Sequence, residues 1–132
     1  MVVVDIDHFK KFNDQYGHLV GDLILKRLGK LFKEELPIPC EDFRFGGEEF
    51  VILMPQCNKE RAMDIAESIR VGASKLRFKG AKTRERLPKM TISLGVSEWQ
   101  AEDELEHVIT RADLALYEAK NNGRNQVRHA QL

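Results

Sequence analysis

The chain opens on Met1-Val-Val-Val4-Asp5-Ile6, a β-branched run with no polar face. That pattern predicts a strand over Met1 to Ile6, covered on both sides and ending at Asp5-Ile-Asp7. From Asp22 the apolar residues Leu25, Leu28, Leu31, Phe32 and Leu36 recur at helical spacing until Pro37 and Pro39 close the segment. Phe43 to Phe45 and Phe50 to Met54 predict two strands, joined through Gly46-Gly47 as a two-residue hairpin whose glycines accept positive φ. Ala62, Ile65, Ala66, Ile69 and Ala73 form the stripe of a second helix. The basic stretch Lys79 to Lys89, with Gly80 and Pro88 and no periodicity, reads as an exposed loop. Met90 to Val96 returns to strand. Asp103 with Glu106 three residues on resembles a capping box for a helix carrying Leu105, Val108, Ile109, Ala112, Leu116 and Ala119. Asn122-Gly123 ends that helix, and Asn125 to His129 predicts an edge strand.

A tight hairpin demands antiparallel neighbours, whereas the intervening helices act as crossovers. The fold class expected is therefore α+β, with a central mixed, mainly antiparallel sheet and flanking helices. A length of 132 residues fits one domain, 1–132, and neither a repeat nor a linker divides it. Lys and Arg number 21 against 21 Asp and Glu, so no global basic field draws in nucleic acid or anionic lipid. Cys40 and Cys57 lack metal-ligand spacing and suit a reducing, cytoplasmic setting. No apolar run reaches membrane-span length and the start lacks a basic flank, so no membrane contact is expected from this segment. Any membrane attachment would belong to other parts of a larger protein.

Within this pattern the adjacent acids of Arg44-Phe-Gly-Gly-Glu-Glu-Phe50 are out of place. Alternation along a strand points Glu48 and Glu49 in different directions, so that one of them can meet a carboxylate on a neighbouring strand. Asp5, at the end of an apolar run, is the natural partner. Unpaired, it would bear a desolvation cost that a divalent cation removes. Mg²⁺ takes hard oxygens, commonly one or two carboxylates with phosphate and water. Asp5, Glu48 and a backbone carbonyl between them meet that demand, although a hairpin with solvated acids explains the same letters.

Three ordered stretches carry more. Asp5-Ile-Asp-His-Phe-Lys-Lys-Phe-Asn-Asp-Gln-Tyr-Gly-His-Leu-Val-Gly-Asp22, Gly46-Gly-Glu-Glu-Phe50 and Arg111-Ala-Asp-Leu-Ala-Leu-Tyr-Glu-Ala-Lys-Asn-Asn-Gly-Arg-Asn125 together resemble the GGDEF family of diguanylate cyclases, in its GGEEF variant. The resemblance spans essentially the whole chain. It implies a fold similar to adenylyl cyclase and polymerase palm domains, with a ferredoxin-like core. The implied reaction condenses two GTP into cyclic di-GMP with release of two pyrophosphates.

Residue by residue, the resemblance implies that Asp5 and Glu48, with the Ile6 carbonyl, hold two Mg²⁺ (or Mn²⁺) ions per active site. Glu48 also matches a proposed proton acceptor, and Glu49 the second acid of the motif. Gly46 and Gly47 match the turn against the nucleotide. Asn13 and Asp22 match residues that bond guanine; a carboxylate accepts from N1–H and the 2-amino group of guanine, whereas adenine offers an acceptor at N1, which favours GTP. His18 matches another substrate-side position, or serves a structural turn. Phe9 and Lys10 fall where backbone amides approach the triphosphate, and Phe9 alone would read as core. Lys120 and Arg124 match the cations that meet the β- and γ-phosphates, where composition by itself gives only favourable partners for a helix C-terminus.

Family catalysis implies a homodimer, assembled by an upstream sensor or receiver domain. Two departures qualify the match. The Arg-x-x-Asp product-inhibition site of many members is replaced at its ends by Pro37 and Cys40, which implies no feedback through it. The helix and Asp-x-Leu-Thr-Gly-Leu-like turn that usually precede the first strand have no counterpart ahead of Met1, which implies uncovered sheet and a less complete nucleotide pocket. Beside the cyclase stand two alternatives: a catalytically silent GTP-binding or regulatory module, and an unrelated α+β interaction domain.

Overall fold

The computed structural model describes residues 1–78 and 87–131. In chain order the elements are β1 (Val2–Ile6), α1 (Phe9–Tyr16), α2 (His18–Glu35), β2 (Glu41–Arg44), β3 (Glu49–Leu53), α3 (Lys59–Ser74), β4 (Ile92–Val96), α4 (Leu105–Asn121) and β5 (Val127–His129). The sheet order is β2-β3-β1-β4-β5, antiparallel except for the parallel β4–β5 pair. The mixed, mainly antiparallel sheet expected from the sequence is what forms.

β1 lies at the centre, and its alternation sorts the two faces. Val2, Val4 and Ile6 enter the large core built with Ile24, Leu28 and Phe32 of α2 and Ile65, Ala66 and Ile69 of α3. Val3 faces the other way, into a smaller cluster with Val51, Ala112 and Leu116. Asp5 shares the parity of Val3 and therefore the side of α4. Gly95 in β4 lets α4 approach, since a Cβ there would lie 2.1 Å from the Ala112 carbonyl oxygen and 2.5 Å from the Leu116 nitrogen. α4 packs over β4, β1 and β5. Farther out on the same sheet, Leu53 and Phe43 remain 37 % and 46 % exposed.

Several boundaries differ from the sequence reading. α2 begins at His18 rather than Asp22, because its first turn carries the exposed Leu19 and two glycines flank it, which blurs the apolar stripe. The apolar pattern does not predict α1, whose short polar sequence buries only Phe9 and Phe12, one turn apart. Gly17, at φ 92°, divides α1 from α2. The connection at Gly46-Gly47 is longer than a two-residue hairpin, and neither glycine takes a positive φ. Pairing of β2 with β3 ends at Arg44 and Phe50, and the Phe45 N–H closes the turn on the Glu49 carbonyl at 2.8 Å. The Arg44 guanidinium donates to the carbonyls of Gly47 (2.8 Å) and Gly46 (3.4 Å), which satisfies the turn without left-handed backbone. The α4 cap is Glu104, whose N–H donates to Nδ1 of His107. Asp103 instead binds Arg111 and the Gln100 N–H, so the expected Asp103–Glu106 box gives way to an ion pair. β4 begins at Ile92, two residues later than expected. The expected loop Lys79 to Lys89 lies largely outside the described residues; of its last residues, Leu87 donates its N–H to the Phe78 carbonyl at 3.0 Å.

Candidate active site

The site forms where β1 ends, the Arg44-to-Glu49 turn closes and α4 finishes. Asp5 is 5 % exposed and pairs in register with Glu49 across the antiparallel ladder. Glu48 sits in the turn, just ahead of β3, and its carbonyl accepts the Ile6 N–H at 3.4 Å. Strand alternation therefore does not govern Glu48. The expectation that the two glutamates diverge is replaced by one in which both lie within reach of the Asp5 charge.

The electrostatics record that crowding. Burial, followed by the charge of Asp5, pushes both the Glu48 and the Glu49 carboxyl above the usual range, with Lys120 opposing. Asp113 of α4 adds to the pressure on Glu49 and is itself pushed up by burial. Lys120, two helical turns beyond Asp113, places its ammonium on Asp5 Oδ2. Asp5 Oδ1 is buried without a hydrogen-bond partner. Several acids around a single ammonium, one of them with a bare buried oxygen, suit a hard divalent cation. Among the described residues no group of three or more His, Cys, Asp or Glu side chains converges as a closed metal cage.

The other residues matched to nucleotide binding lie on α1, on the start of α2, in the Gly46–Gly47 turn and after α4. Phe9 and Lys10 form the first turn of α1 directly after β1; the Phe9 ring is core, while the Lys10 side chain is exposed. Early N–H groups of a helix lack intrahelical acceptors and favour anions. Asn13 lies later on α1, its Oδ1 buried and unpartnered against Gly21. A Cβ at Gly21 would fall 1.8 Å from that oxygen, so glycine makes the space that Asn13 fills. Asp22 and His18 are exposed on the first two turns of α2. Gly46 and Gly47 are exposed, and nothing lies within 4 Å of a Cβ built at Gly47. Arg124, at φ 61°, leans its guanidinium on the Lys120 carbonyl at 3.3 Å.

Asp5, Ile6, Glu48, Glu49 and Lys120 thus come together, with Phe9 and Lys10 next along the chain, while Asn13 lies on α1 and His18 and Asp22 on the first turns of α2. Sequence reasoning passed over Asp113, whose spacing of two helical turns from Lys120 was its only signal, and Arg44, which precedes the glycines and braces them.

The chain matches the family described as "Diguanylate cyclase, GGDEF domain" over residues 1–126. It is 42 % identical over 127 residues to diguanylate cyclase VdcA of Vibrio cholerae, covering 96 % of this chain and 38 % of that protein. The chain spans about a third of the length of the curated relatives it matches. Among solved structures, it superimposes on the GGDEF domain of DgcB from Caulobacter crescentus in complex with c-di-GMP with a TM-score of 0.93, at 37 % identity over 97 % of this chain and 75 % of that one. The active GGEEF domain of a diguanylate cyclase from Vibrio cholerae gives 0.87, at 34 % identity over 99 % and 81 % of the two chains.

Proposed function

Since the chain belongs to the GGDEF family of diguanylate cyclase domains, we propose that it condenses two GTP into cyclic di-GMP and two pyrophosphates. The observation that carries this reading is the meeting of Asp5, at the end of β1, and Glu48, from the turn before β3, around an unpartnered buried carboxylate oxygen. Asp5, Glu48 and the Ile6 carbonyl would hold Mg²⁺ or Mn²⁺, two ions per site. Bound there, they supply Lewis-acid charge neutralisation at the α-phosphate and leaving pyrophosphate and make the ribose 3′-hydroxyl more acidic.

The protein's own groups do the rest. Asn13 and Asp22 hold the guanine edge, with His18 beside them. Phe9 and Lys10 offer backbone N–H groups to the phosphates, and Gly46 and Gly47 bring unencumbered backbone against the nucleotide. Lys120 and Arg124 take the β- and γ-phosphates. Glu48 accepts the 3′-hydroxyl proton; the 3′-oxygen–phosphorus bond forms as the bond from the α-phosphorus to the bridging oxygen breaks and pyrophosphate departs. Glu49 adds negative charge behind Glu48.

One site holds one GTP, so nucleophile and electrophile must come from two subunits face to face, and the active species is a homodimer. A regulatory sensor or receiver domain elsewhere in a longer protein would set the encounter, by mass action. GTP supply places the reaction in the cytoplasm.

The test is to force dimerisation with a fused coiled coil, add GTP and Mg²⁺, and assay cyclic di-GMP. Glu48→Gln, which removes a metal-holding oxygen, is expected to cut product by more than the roughly 10–100-fold typical of outer partners of a metal site. Near-normal turnover in that variant overturns the reading, and absence of product from the unaltered dimer turns it toward a silent GTP-binding module.

A further inference from the structure

Asp7 is a buried charge that the reaction above does not use. It is 2 % exposed and lies in the turn just after β1, where it meets Ser93, the β4 residue that pairs with Asp5. Thr91 Oγ1 donates to its Oδ2 and Ser93 Oγ to its Oδ1, each at 2.7 Å. The Asn125 backbone N–H donates to Oδ2 at 3.0 Å and shares Ser93 Oγ at 3.1 Å. A carboxylate is a costly way to fill buried space unless its charge-assisted bonds hold something.

What it holds is a disfavoured piece of backbone. Gly123, Arg124 and Asn125 follow one another at φ 107°, 61° and 48°, and two of the three are not glycine. Left-handed backbone at ordinary residues persists only where the surroundings enforce it, and such positions gather at functional sites. Here enforcement comes from both sides. Asp7 and Ser93 grip the Asn125 amide from within, while Arg70 of α3, itself bound by Glu67, donates to Asn125 Oδ1 at 2.8 Å from without. The Arg124 N–H closes the end of α4 on the Ala119 carbonyl at 2.9 Å. The fixed turn therefore carries Arg124 and terminates the helix that bears Lys120.

We propose that Asp7 is a positioning residue for the triphosphate: by clamping Asn125 in its left-handed conformation, it fixes Arg124 and the end of α4 relative to Asp5. The inference rests on the reading of Lys120 and Arg124 as phosphate contacts, and it assigns their placement to the Asp7–Ser93–Asn125–Arg70 node. A purely structural Asp7, tying β1 to β4, would lower stability without distinguishing one nucleotide from another.

The test compares binding of 3′-deoxy-GTP, which cannot condense, with binding of GMP, by calorimetry on this chain. Asp7→Ala is expected to weaken the triphosphate by about 10–100-fold, the range seen when outer partners of ligand-holding groups are removed, and to leave GMP essentially unchanged. Asp7→Asn keeps an acceptor for the Asn125 N–H and restores most of the loss. Hydrogen exchange at that amide is slow in the unaltered chain and in Asp7→Asn, and fast in Asp7→Ala. Arg70→Ala, at a side chain 20 % exposed, gives a smaller loss in the same direction and decides the matter if Asp7→Ala does not fold. An equal loss for both nucleotides, or no loss in a folded variant, overturns the inference. An unaltered chain that binds the two nucleotides alike overturns instead the phosphate reading beneath it.

Discussion

The Lys120 ammonium, from the last turn of α4, sits on the Asp5 carboxylate at the end of β1, joining residues 115 apart in sequence. The pair lies at the centre of the acid cluster, so each partner answers for the other's placement. Removing the lysine leaves a carboxylate, 7 % exposed at its side chain, with neighbours of its own sign. Lys120→Met is expected to destabilise the domain in divalent-free buffer by about 1–3 kcal/mol, below the figure for fully buried pairs because the lysine is about a third exposed. Urea denaturation with and without Mg²⁺ checks this: an excess of Mg²⁺ restores part of the loss if the cation binds at Asp5.

Glu48→Gln is expected to do the opposite to stability. A carboxyl pushed up by burial and by Asp5 binds its proton more tightly folded than unfolded. Stability from this group is therefore highest at low pH and falls as pH rises through the raised folded value. The neutral glutamine escapes that fall. Without divalent cation its thermal midpoint should exceed the unaltered protein's at pH 7 and converge with it toward pH 4. A lower midpoint at pH 7 would mean that Glu48 is not under charge stress.

Asp103 has the reverse sign. The Arg111 guanidinium, with the Gln100 N–H, holds its carboxyl down to about 2. The contribution is complete above the unfolded value of 3.8 and disappears as pH falls toward 2. Asp103→Asn is expected to lower the midpoint at neutral pH and to flatten its acid limb between pH 4 and pH 2. Because Arg111 also donates to the Glu98 carbonyl at 2.7 Å, the variant keeps part of the link between α4 and the segment after β4.

Gly21→Ala separates recognition from folding. The clash is with the end of a movable side chain, Asn13 Oδ1, and alanine in a helix is favoured over glycine by about 1 kcal/mol. Stability should hold or rise, but Asn13 must turn away. The expected result is weaker GTP binding with an unchanged or higher thermal midpoint; unaltered affinity would remove Asn13 from guanine recognition.

Asp22→Ala removes the acceptor assigned to guanine N1–H and the 2-amino group. Two bonds to a charged acceptor, at about 1.5–3 kcal/mol each before compensation, make a loss in GTP-over-ATP preference on the order of 100-fold the expected outcome. Competition binding with both nucleotides measures it.

The central strands were legible as short β-branched and apolar runs covered on both faces, and the helices α3 and α4 from apolar positions that repeat near 3.6 residues, which a covered face enforces over several turns. α1 escaped notice because two buried phenylalanines in a polar octet do not make a period. The glycine pair misled for a related reason: glycine permits a positive φ without requiring one, and the Arg44 guanidinium supplied the turn with bonds that the letters do not announce.

From the residues alone came the layered sheet, the likeness carried by its three motifs, and the prospect of Asp5 and Glu48 meeting. Only tertiary structure decided that both glutamates crowd Asp5, that Lys120 rests on it, that Asp113 joins the cluster, and that Asp7 grips Asn125 across the sheet. Local sequence encodes which conformations a few neighbouring residues prefer; contacts between distant residues follow from strand register and from how closely α4 can approach Gly95, and those are settled when the whole core packs.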